Sequence, residues 1–275
     1  MRRTPGPLLG RRTGLAYMLA VCALPSARRS LAQLSGDPLY IGRAIVTGTD
    51  NRDRPRGLGI CLGQVLVKVS GDPNILHRPG ITSLEACAAL MVTAISYHDR
   101  MSALPKHDEQ GTRDRPFTLT ASFDPAKVTQ ALASLGAMPW RGPRPHVFLA
   151  VTVHAYSGSF ILTQGTAIGY DQPELMRSAI ADAADLYAVS VILPNTSRSA
   201  APAGTLPVSG MLDWSDNDHG WIASWQALWK NQITRWGVRG ISFDEAFANA
   251  LAGALGIASG HGVPRTYDRT GDGTE

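Results

Sequence analysis

Trp221-Ile-Ala-Ser-Trp-Gln-Ala-Leu-Trp229 is the stretch on which the fold turns. Trp221, Ala223, Trp225, Ala227 and Trp229 recur with a strict period of two, which puts all five on one face of a β-strand. Leu206 to Trp214 and Ile233 to Val238 read as flanking strands of an antiparallel hairpin region. Ser242 with Glu245 three residues later is a capping-box start, and Phe243, Phe247, Ala250, Leu251 and Ala254 follow at helical spacing. That helix is the natural cover for the tryptophan face.

Working back from there, Val147 to Val153 is an apolar run of buried-strand length, with Phe160 to Thr163 as its hairpin partner. Asp171 and Glu174 open a helix carrying Met176, Ile180, Ala183 and Tyr187, and Val189 to Leu193 is a further buried strand. Pro139-Trp-Arg-Gly-Pro-Arg-Pro145 interrupts the pattern and marks a boundary between subdomains 33–138 and 139–260. Before that break, Leu39 to Val46 reads as a strand. Leu58, Leu62, Val65, Leu66 and Val69 form a helical stripe stopped by Gly71. Gly57, Gly59 and Gly63 lie inside that stripe, where they suit close helix packing rather than a dinucleotide turn.

A second helix is expected from Thr82, with Glu85 closing a capping box and a stripe of Leu84, Cys87, Met91 and Ile95. Lys106 to Arg115 reads as a loop. Phe117, Leu119, Ala121 and Phe123 alternate as a half-buried strand. Asp124 and Pro125 then start a helix bearing Val128, Leu132 and Leu135, which ends at Gly136. Interleaved strands and helices give an α+β (mixed α/β) class, two small α/β subdomains with an antiparallel Trp-rich hairpin near the C-terminus. Residues 261–275 read as a disordered tail.

The first 32 residues have the order of a secretory signal: arginines 2, 3, 11 and 12, an apolar run from Gly14 to Leu24, and Ser30-Leu-Ala32 before Gln33. The expected cut follows Ala32 and gives a periplasmic or secreted protein with no transmembrane helix. The run is too short to cross a bilayer. Cleavage removes six arginines and no acids, so 20 basic residues face 22 acidic ones and the net charge moves from +4 to −2. A nucleic-acid footprint needs clustered Lys and Arg on the folded part, and that composition argues against one. Cys61 and Cys87 remain. Export would let them pair, while burial on apolar helices would leave them as free thiols.

Asp213-Trp-Ser-Asp-Asn-Asp-His219 is the densest polar cluster. Asp213, Asp216 and Asp218, with His219, offer oxygens and an imidazole to a hard cation, but the spacing lacks the distal glutamate of a twelve-residue calcium loop. A turn between two strands uses the same residues for local hydrogen bonds. No histidine pair has metal-ligand spacing, and Ser157-Gly-Ser159 lacks the elbow that exposes a serine above a sheet. Trp214, Trp221, Trp225, Trp229 and Trp236 have two readings: a surface that stacks on sugar rings or anchors a partner, or core against the last helix.

Gln64-Val-Leu-Val-Lys-Val-Ser-Gly-Asp-Pro73, preceded by Arg56 and Leu58, resembles the hallmark of an exported bacterial family named only as domain of unknown function 2066. Phe123-Asp124, Trp140, Arg144-Pro145, Trp236 and Gly240-Ile-Ser-Phe-Asp244 resemble its later landmarks. The resemblance implies a bacterial envelope setting and no activity. Together these readings favour an exported, non-enzymatic binding or envelope accessory protein without a cofactor, whose partner is an envelope protein or a small ligand. The alternative is an envelope hydrolase or metal-dependent enzyme using the Asp213 to His219 region.

Overall fold

The computed structural model describes residues 37–102, 115–156, 158–165 and 173–265. The signal segment, most of the charged loop after Pro105 and the tail after Arg265 lie outside them.

Three strands make a small antiparallel sheet: β1 (Ile41–Thr47), β2 (Val92–Asp99) and β3 (Pro116–Phe123), in the order β1-β3-β2. Helix α1 (Arg54–Ser70) packs against its inner face. The approach is close because glycines permit it. A β-carbon on Gly42 would stand 2.3 Å from the Cys61 carbonyl oxygen, and one on Gly57 would stand 2.6 Å from Val46. Pro55 sits in the first turn, and Gly71, at φ 71°, closes the helix by donating its N–H to Val67. Leu58, Leu62, Val65, Leu66 and Val69 are all buried, as their spacing requires.

The expected second helix is much shorter than its stripe. Helix α2 runs only from Ile81 to Ala86, its N-cap is Gly80 rather than a capping serine or threonine, and a 3-10 turn over Ala88–Met91 follows it. Ile95 belongs to β2, whose residues pair with β3 from Val92↔Phe123 to Asp99↔Phe117. Helical spacing of four apolar residues lost here to a β-branched and aromatic run with an open strand edge to join.

Helix α3 (Pro125–Ser134) begins as its sequence indicates. The Asp124 carboxylate accepts the N–H groups of Ala126 and Lys127, and Gly136 adopts φ 68° just beyond the end. The Pro139–Pro145 break then lies against α1: the Trp140 N–H donates to the Val69 carbonyl at 2.8 Å, and the Arg144 guanidinium sits 4.6 Å from the Trp140 ring centre.

The larger sheet takes the order β5-β4-β7-β8-β9 from β4 (His146–Ala155), β5 (Gly158–Leu162), β7 (Leu206–Ser215), β8 (Gly220–Trp229) and β9 (Gln232–Ile241). Strands β4 and β7 are parallel, joined through α4 (Pro173–Tyr187) and the three-residue β6 (Ser190–Ile192), which pairs with the start of β4. Strands β7, β8 and β9 form an antiparallel meander.

Helix α5 (Phe243–Ser259), opened by the Ser242/Glu245 capping box, covers one face of that meander. Helices α4 and α5 pack together, Arg43 of β1 pairs with Asp185 of α4 at 2.8 Å, and the Ser259 hydroxyl donates to the Gly71 carbonyl at 2.6 Å. The break at 139–145 therefore separates two sheets, but their helices meet in one continuous apolar core. Among the described residues no helix is long and apolar enough to cross a membrane.

Candidate functional site

The large sheet has two unlike faces. On the α5 side, Trp225 is 2% exposed and lies 6.4 Å from Phe247, ring centre to ring centre. Register places Trp214 beside Trp221 and Trp236 beside Trp225, so all five candidate tryptophans share this covered face. Trp221, Trp229 and Trp236 are half-buried against the core, and the Trp236 indole N–H donates to the Asn249 carbonyl. Trp214 alone is substantially open, at 42%. Of the two readings of these tryptophans, Trp225 and Trp236 follow the core one and seat α5.

The opposite face carries polar and small residues in register. One row runs Ile161, Thr152, Met211, Ser224, and the next runs Ala150, Ser209, Gln226, Arg235. These rows floor a groove of about 510 Å³, walled by Pro194, Ser197 and Ser199 of the segment after β6. That volume is in the range of small-molecule sites. The Arg235 Nε donates to the Gln226 side-chain oxygen at 3.0 Å, which orients the guanidinium over the groove floor. No carboxylate pairs with Arg235 among the described residues.

Beyond the groove floor, the adjacent row on the same face holds Ser159, His154 and Asp213 on β5, β4 and β7. His154 Nδ1 and Asp213 Oδ1 are 2.6 Å apart. This contact splits the Asp213 to His219 cluster, because its carboxylates face different partners. Asp216 accepts the Trp214 indole N–H at 2.8 Å. Asp218 accepts the Ser215 hydroxyl at 2.6 Å and the Arg239 guanidinium. The Ser215 hydrogen bond, then Arg239, hold the Asp218 carboxyl below the ordinary range. His219, at φ 49°, forms the turn. The cation site that this spacing suggested is not assembled, and no group of three or more metal-ligating side chains converges among the described residues. Turn chemistry and strand register claim those residues instead.

The cysteines are also apart in role. Cys61 is buried on α1, where burial pushes its thiol up to about 12, and Cys87 is exposed at the end of α2. The pairing that export would allow is not made: both thiols are free, one buried under the small sheet and the other at the surface.

A second, smaller cavity of about 240 Å³ is lined by Asp72, Asn74, His77, Arg78, His261 and Arg265. Its central ion pair is structural. Arg78 donates to Asp72 at 2.8 Å and to the carbonyls of Leu135 and Gly136 at 3.0 Å, tying the end of α3 to the loop after α1.

Sequence reasoning missed His154, Gln226 and Arg235, and set Ser159 aside for want of a nucleophile elbow. His154 and Asp213 lie 59 positions apart and meet only through the parallel register of β4 and β7. The Gly158-Ser159 turn into a strand was the one local signal.

Residues 35–141 match the model of a family described as a domain of unknown function, DUF8605. The match spans the small sheet and helices α1 to α3 and ends inside the Pro139–Pro145 break. It corrects the resemblance to domain of unknown function 2066, which is a different family; the Gln64 to Pro73 segment belongs to the matched span. No curated protein and no solved structure matches this chain.

Proposed function

We propose that the protein is exported and works by holding a small, hydroxyl-bearing anion in the groove on the outer face of the large sheet. The observation that carries this reading is Arg235, set by Gln226 over a floor of Ser209, Ser224 and Thr152 hydroxyls and lacking a carboxylate partner among the described residues. A guanidinium fork is suited to a carboxylate or phosphate, and the hydroxyls suit a sugar's own hydroxyl groups. Met211 and Ile161 supply apolar surface beside them. A sugar acid combines these features, and a secreted or periplasmic setting is where envelope glycans supply such molecules. The signal-like order of residues 1–32 supports that setting.

Titration calorimetry with D-glucuronate against D-glucose tests the ligand class. Saturable heat with the acid alone is the expected result, and it should weaken at least tenfold in Arg235→Ala. Equal heats with both sugars, or none with either, would remove the anion reading. Amino-terminal sequencing of the protein recovered from the cell envelope should begin at Gln33.

A further inference from the structure

The row next to the groove has a chemical order that binding alone does not need. Ser159, His154 and Asp213 are directly opposed on three consecutive strands, with the histidine in the middle. Directly paired residues point to the same face of a sheet, with antiparallel β-carbons about 4.5–5.5 Å apart. Asp213 holds His154 through Nδ1, which turns Nε2 away from the carboxylate. His154 and Asp213 are 42% and 36% exposed, and Ser159 is exposed on the outermost strand, so all three are open to a substrate.

We propose that Ser159, His154 and Asp213 form a serine esterase site that cuts short acyl esters carried by the hydroxylated anion in the groove. The substrate class rests on the groove reading; the row itself does not. In the first step the Ser159 hydroxyl oxygen attacks the ester carbonyl carbon while its proton passes to Nε2 of His154. The carbonyl π electrons move onto oxygen. Collapse of that adduct breaks the bond to the alkoxy group, which takes the proton from Nε2 and leaves as the alcohol. Water then repeats the sequence on the acylated serine and releases the carboxylic acid. The net change is ester plus water to alcohol plus acid.

Asp213 is a positioning residue in this scheme, since it fixes the imidazole and stabilises its protonated form. Thr152, two residues back on the same face of β4, is the hydroxyl assigned in this scheme to donate to the oxyanion. Ser159 makes no hydrogen bond to His154 in the structure, so the attack requires a rotation of the serine side chain.

The full chain treated with a fluorophosphonate probe and mapped by mass spectrometry tests the assignment. Labelling is expected on Ser159, abolished in Ser159→Ala and slowed at least tenfold in His154→Gln. Asp213→Asn should slow it and shift its pH profile, which a merely structural carboxylate would not do. Ser159→Cys covers the case in which the alanine variant fails to fold: its alkylation by iodoacetamide should exceed that of Cys87 and depend on His154. Labelling no faster than in heat-denatured protein, or equal labelling after Ser159→Ala, overturns the site. Retained glucuronate binding without labelling sinks the esterase and spares the groove, whereas labelling without binding does the reverse.

Discussion

The small sheet meets α1 at backbone distance, whereas the large sheet meets α5 through rings. Gly42 and Gly57 leave room for the helix to touch strand backbone and the Val46 and Leu119 side chains directly. Around Trp225, Trp236 and Phe247, the glycines serve the opposite purpose. A β-carbon on Gly210 would stand 2.1 Å from the Trp225 ring and one on Gly253 would stand 2.4 Å from the Trp236 ring, so there they make space for aromatics. Among the described residues, the buried polar or charged side chains, Lys68, Ser70 and Asp72, all belong to the α1 side. One interface is therefore fixed by shape and a few hydrogen bonds, the other by apolar area. They should fail differently.

Phe247→Ala should do the greatest harm. The ring is fully buried between α5 and the meander, and truncations of that kind cost about 3–5 kcal/mol through lost transfer energy and the cavity left behind. Urea unfolding followed by tryptophan fluorescence would show it, and a loss under about 1 kcal/mol would mean the rings do not hold α5. Gly42→Ala should come next, at about 2–3 kcal/mol, because one methyl at the Cys61 carbonyl forces α1 off the sheet. If that variant unfolds at the wild-type urea concentration, α1 is not held at backbone distance and the contrast collapses.

The two interfaces were not equally legible. Strict alternation in Trp221–Trp229 and the Phe243/Phe247 stripe announced the large one, because apolar side chains repeat with the period of their element. The glycines of α1 hinted at the small one. Gly42 gave no signal, since its purpose depends on where Cys61 lands. The same limit explains α2 and β2: Leu84, Cys87, Met91 and Ile95 obey helical spacing, yet the unpaired edge of β3 draws Val92–Asp99 into a strand. The groove and the Ser159, His154, Asp213 row were the least visible of all. They are made by register between strands far apart in the chain, and period-two patterns report the face of a residue but not its cross-strand neighbour.

Lys68 sharpens the contrast through pH. Its ammonium is buried on α1 and donates to the carbonyls of Pro38 and Ile41; burial first, then the positive charge of Arg43, pulls its pKa down to about 8. The folded chain thus gives up this proton before the unfolded chain does. Between pH 8 and 10 the unfolded state binds more protons, so stability rises with pH across that window. Relative to Lys68→Met, the wild type should gain about 2 kcal/mol between about pH 7.5 and 9.5. Paired urea titrations of the two proteins cancel the Cys61 ionisation that both share. A constant difference would mean the lysine is solvated and the α1 side has no buried charge.

Arg235→Ala should change stability least, by under about 0.5 kcal/mol, because the guanidinium is exposed and its one hydrogen bond is to the neighbouring Gln226. That small number is what makes the substitution informative. The bare face of the large sheet contributes little to the core that α5 seals, so its residues are free to be chosen for what they touch outside the protein. If Arg235→Ala leaves the urea midpoint in place and removes the glucuronate heat, the two faces of one sheet are divided between holding the fold and holding a ligand. If instead the midpoint falls by several times that amount, the guanidinium is structural support for the β8 and β9 pairing, and the groove loses the group that gives it a charge preference.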